Sequence, residues 1–161
     1  MERGNTQANF KKIVEQADVD RQVVVMKPDN RSDLDLRLKE LFSLWVIEGI
    51  FDSNLLSAFD SILRIAGYEN SRQTMQSWVE FAKERASDAL DMSISEFEYL
   101  DIDLSIELDE LNLEASFFFL YKLSDKRRKP SEIAGVRLAL IALVGEAKQQ
   151  QWVGEFNKRI S

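Results

Sequence analysis

Three consecutive runs of apolar residues at helical spacing, separated by short polar breaks, constrain this chain more than any other stretch. Leu34, Leu38, Leu41, Phe42, Trp45 and Val46 recur three and four residues apart until Gly49. That spacing puts them on one face of a helix, and Ser32 or Asp33 can accept from the free amides at its start. Leu55, Leu56, Phe59, Ile62 and Leu63 repeat the pattern after Asp52-Ser53 and stop at Gly67, which suits a left-handed cap. Met75, Trp78, Val79, Ala82 and Ala86 repeat it after Asn70-Ser71. The short connections predict neighbouring, roughly antiparallel helices. Six glycines and two prolines in 161 residues fit long helices better than the many tight turns of an all-β chain. The length is that of one domain with a single sizeable core.

Ahead of this body, residues 6–17 predict a short helix with Phe10, Ile13, Val14 and Ala17 on one narrow face. Residues 23–26 form a β-branched run, read as a short strand or extended arm, that a turn at Pro28-Asp29-Asn30 ends. Residues 1–30 are thus expected as an appendage and 31–161 as the helical domain. Further on, residues 111–123 predict a helix that is apolar nearly all round, which places it centrally in a core or an interface. Pro130-Ser131-Glu132 suits the first turn of another helix carrying Ile133, Val136, Leu140, Ile141 and Val144. Gly145 offers a place to kink or divide it, and Trp152, Phe156 and Ile160 continue at four-residue spacing.

Charge is distributed unevenly. Residues 88–114 hold ten carboxylates and no Lys or Arg. An apolar run with Phe117, Phe118, Phe119 and Tyr121 follows, and then Lys126-Arg127-Arg128-Lys129 before Pro130. Within the acidic part, Ile94, Phe97, Leu100 and Leu104 fit a helix that Ser93 can cap. Residues 101–109, however, alternate strictly between polar and apolar, as a half-buried strand would, with Ile102, Leu104, Ile106 and Leu108 inward. The plausible partner is the run 23–26, so a helix and a two-stranded ribbon stay open as alternatives; two strands alone are marginal.

Residue types narrow the chemistry. Cysteine is absent, so there is neither a disulfide framework nor a thiolate. Histidine is also absent, which removes zinc sites of the usual kind, Ser-His-Asp triads and Cys-His dyads. Asp101-x-Asp103-x-Ser105 imitates the start of a calcium-binding EF-hand loop, but Ile106 stands where the sharp turn needs glycine and Asn112 where a bidentate Glu is required. No metal, cofactor or catalytic residue is expected, and the chain is read as non-enzymatic. No apolar run reaches membrane-spanning length, and the first residues lack the apolar core of a signal peptide. An intracellular, cytoplasmic protein is expected, with the nucleus open as a second compartment.

Three candidate contact surfaces follow. Phe117, Phe118, Phe119, Tyr121, Trp152 and Phe156 supply more aromatic surface than one small core needs, which suggests a partner-binding face and a homodimer. Lys126, Arg127, Arg128 and Lys129 resemble a short nuclear import signal or a phosphate contact; the ordinary reading is that cations favour a helix C-terminus. Leu104, Leu108, Leu111 and Leu113 have the spacing of a leucine-rich export segment, which is also the spacing of a core-facing one.

The expected fold is mainly α, a single-domain bundle of five to seven helices with room for a small ribbon pairing 23–26 with 102–108. The expected function is a protein–protein interaction module, regulatory or adaptor-like, whose acidic belt selects a partner with a basic surface. The alternative is a nucleic-acid or ribonucleoprotein-binding factor of nucleocytoplasmic shuttling type, using the basic loop. A net charge of −7 disfavours nucleic acid.

Overall fold

The computed structural model describes residues 28–90 and 102–161. It is a bundle of six helices: α1 Pro28–Ile47, α2 Ser53–Ile65, α3 Ser71–Leu90, α4 Leu113–Arg127, α5 Pro130–Val144 and α6 Glu146–Ile160. No strand occurs among the described residues. The expected helix at 6–17, the run 23–26 and the positions Ile94, Phe97 and Leu100 lie outside them.

Local chemistry sets most of the boundaries. Asp52 caps α2 by accepting from the Leu55 amide at 2.8 Å, and Asn70 accepts from Gln73 at 3.0 Å at the start of α3. Helix α2 ends in a tight reverse turn in which the Tyr68 amide reaches back to the Leu63 carbonyl at 2.9 Å. That turn needs a positive φ at Gly67, which has φ 93°. The start of α1 differs from expectation. Pro28, read as part of a turn, is instead the first helical residue, where its fixed φ is already helical and its missing N–H costs nothing. Gly145, at φ 89°, divides the last helical stretch into α5 and α6.

The core joins all six helices. Around Phe42 the aromatic rings interlock, with centroids 4.6 Å from Phe51, 5.2 Å from Phe59 and 5.6 Å from Trp78. Edge-to-face and tilted contacts of this kind add to the burial of the rings themselves. Packing does not follow chain order. Helix α1 lies mainly along α5 and α3, and α2 mainly along α4. Tyr68 donates to Asp35 at 2.7 Å, and further along Arg85 pairs with Glu40 at 3.1 Å, so α1 and α3 run parallel. Helix α5 runs the opposite way, with Gly135 beside Leu41 and Glu132 joined through Arg127 to Glu48. The expected antiparallel packing of successive helices is therefore replaced at α1 by a parallel neighbour and a distant one.

Residues 102–112 carry the other departure. They form an irregular strap across α2 and α3, with a turn at 104–106, that is neither a strand nor a helix. Ile102, Leu104, Ile106 and Leu108 are half-buried against the core and the residues between them are exposed. The alternation is the one the sequence announced, but helix faces and not a partner strand receive it. Residues 102–108 have no strand conformation, so the ribbon held open for them is not seen on this side, and its other half, 23–26, lies outside the described residues.

Candidate interaction surfaces

The aromatic wedge is mostly interior. Phe117 and Phe156 are fully buried, and Tyr121 and Trp152 nearly so. Tyr121 packs on Phe156 at 5.6 Å and donates to Asn157 Oδ1 at 2.9 Å, which satisfies its hydroxyl. Phe118 is half-buried, 5.4 Å from Phe156, with the Arg159 guanidinium 5.0 Å from its ring centroid. Phe119 alone of the six stays at the surface, 38% exposed. The surplus that suggested a contact face is thus absorbed within one chain by α4 packing on α5, α2 and α6.

The basic tetrad is divided by the helix end. Lys126 and Arg127 belong to the last turn of α4, Arg128 takes the left-handed cap conformation at φ 56°, and Lys129 is the residue before α5. Arg127 turns inward. Its Nε donates to Glu132 Oε1 at 2.9 Å and its Nη2 to Glu132 Oε2 at 3.0 Å, while Nη2 also reaches Glu48 at 2.8 Å. Glu132 is only 3% exposed. The paired carboxylates, Glu132 first, hold the Arg127 guanidinium proton more tightly than usual. Lys126, Arg128 and Lys129 remain exposed.

The leucine set is split as well. Leu113 is the first residue of α4 and fully buried, whereas Leu104, Leu108 and Leu111 lie half-buried on the strap. In the acidic part of the strap, Asp103 turns back on its own chain. It accepts from the Ser105 hydroxyl and, at 3.0 Å, from the Ser105 amide. These bonds, the hydroxyl first, hold its carboxyl below the usual range. Among the described residues no group of three or more carboxylates is placed to hold a metal. No helix there is long and apolar enough to cross a membrane.

A further surface, outside the three candidates, lies on α1. An open trough of about 650 Å³ has α1 as its floor and the C-terminal half of α3 and the N-terminal half of α5 as its walls. Leu36, Leu44 and Ile47 present apolar side chains to it, with Leu36 49% and Ile47 36% exposed. Ala86 and Ala89 on one wall and Gly135 on the other are small, and this leaves the space open. Charges lie both on its floor, at Arg37 and Glu40, and along its walls. The Arg85–Glu40 pair bridges α3 to α1, and Glu132, locked by Arg127, stands on the α5 wall. The signal was present in the stretch Leu41-Phe42-Ser43-Leu44-Trp45-Val46-Ile47, which is apolar around most of the helix. A helix of that kind has partners on more than one side.

The chain matches no family model, no curated protein and no solved structure. Function is therefore argued from the geometry of these surfaces.

Proposed function

We propose that this protein is a non-enzymatic interaction module, regulatory or adaptor-like, that receives an amphipathic helix of a partner in the trough over α1. The observation that carries the reading is the exposure of Leu36 and Ile47 in a groove with small-residue walls. A helix laid in a groove anchors through apolar residues at three- and four-residue spacing, and Leu36, Leu44 and Ile47 offer an apolar row that Glu40 interrupts. Large exposed aliphatic side chains grouped in a concavity are characteristic of binding surfaces. The net charge of −7 favours a partner whose flanks are cationic, through steering and discrimination more than through affinity.

Nucleic-acid binding through Lys126, Arg127, Arg128 and Lys129 is the weaker reading, because Arg127 is already engaged by two carboxylates.

The absence of native cysteine makes a clean test available. Ile47→Cys, Leu36→Cys and, on the exposed face of α6, Gln150→Cys would each carry a thiol-coupled photocrosslinker in native cell extract. The reading predicts one and the same product from positions 36 and 47 and none of it from position 150. Equal labelling from all three positions would contradict it.

A further inference from the structure

The strap is attached to the bundle by a different kind of contact from the rest of the fold. Nη1 of Arg72, in the first turn of α3, donates to the carbonyl of Leu104 and, at 2.7 Å, to that of Ile106. Ser57 and Ser61, one turn apart on α2, accept from the amides of Asp109 and Leu111, each at 3.0 Å. One guanidinium and two hydroxyls therefore grip alternate carbonyls and then alternate amides. The guanidinium thus clasps the turn at 104–106, and the two hydroxyls hold the stretch that follows it.

The apolar grip is partial: Ile102, Leu104, Ile106, Leu108 and Leu111 are all only half-buried. The outward residues Asp103, Glu107, Asp109 and Glu110 are like charges along one short segment and repel one another. The Arg64 contact to Glu110, at 3.6 Å between exposed side chains, is a weak restraint. At the C-terminal end the strap meets a fixed point. Asn112 caps α4 by accepting from Ala115 at 2.7 Å, and Leu113 is fully buried.

We propose that residues 102–111 are a latched strap that opens as one unit while the helices stay folded, with Arg72 as the latch. Opening releases Leu104, Leu108 and Leu111 as an apolar row backed by carboxylates, and it hinges at Asn112. Segments with few buried apolar contacts and side-chain-held backbone are the ones that open below the global unfolding free energy.

A glutamate-specific protease is a direct probe, since it cleaves after Glu107 and Glu110 only when the strap is free to extend into its cleft. Arg72→Met removes the two charge-assisted bonds and keeps an apolar stem. It should raise cleavage at these sites about tenfold or more and accelerate exchange of the Asp109 and Leu111 amides by a similar factor. The interior amides of α4 and the helical circular dichroism should stay unchanged. Arg64→Met, which loses only the exposed pair, should have little effect on either rate. Cleavage and exchange at wild-type rates in Arg72→Met would overturn the proposal. So would exchange of Asp109 and Leu111 in step with the α4 amides, because the strap would then open only by global unfolding.

Discussion

Half-buried Arg127 and buried Glu132 form a doubly hydrogen-bonded pair, and a pair of this kind is asymmetric in its response to mutation. Removing one partner strands the other charge in the interior, which costs about 3–5 kcal/mol, whereas replacing both with apolar residues is often near neutral. Arg127→Met should therefore lower unfolding stability in urea by about 3 kcal/mol, and Arg127→Met/Glu132→Leu should recover most of that loss. Tyr68 offers a second check. Burial first, and then the bond to Asp35, push its phenol up from 10.0 to about 12. The fold thus favours the neutral phenol. This contribution to stability is whole below pH 10 and is lost as pH rises through about 12. In an absorbance titration of the folded protein, the Tyr68→Phe variant should lack a late-ionising phenolate that the wild type shows. Neither feature was legible in the chain. Glu48 stands 79 residues before Arg127, and a cationic tetrad before proline gives no sign that its second member points inward.

At the scale of elements, the helices were legible and the strap only half so. Leu55 to Leu63 and Met75 to Ala86 announce α2 and α3 because apolar spacing and cap chemistry agree there. Asn112→Ala should cost about 1 kcal/mol in thermal or urea unfolding, since it removes the side-chain acceptor for the Ala115 amide. Gly67→Ala should cost about as much, since alanine is strained at φ 93°. In the strap, alternation correctly gave which side chains face inward. It could not give what they face, because helix surfaces and a neighbouring strand select the same period of two. The side chains that hold the strap, Ser57, Ser61 and Arg72, are polar residues on helices 30 or more positions upstream, with nothing local to mark them.

At the scale of the molecule, contact order decides the site. The trough exists because α1 pairs with α5, nearly a hundred residues away, and with α3, and not chiefly with α2. Helix spacing in the sequence says which residues seek burial but not which helix provides it. For that reason Phe117, Tyr121, Trp152 and Phe156 read as a contact face when they are buried, and Phe119 alone of the six stays exposed. The outer residues Leu36, Leu44 and Ile47 line a groove whose width only the packing of α3 and α5 on α1 sets. These two surfaces can be set against each other in a single measurement: the affinity of the partner captured through Ile47→Cys for the wild type, for Ile47→Asp and for Phe119→Asp. A charge placed in the centre of an apolar contact costs affinity steeply, while one outside it does not. The trough predicts a loss of about tenfold or more for Ile47→Asp and a change within about twofold for Phe119→Asp. The reverse order, with Phe119→Asp the damaging change, would contradict the account.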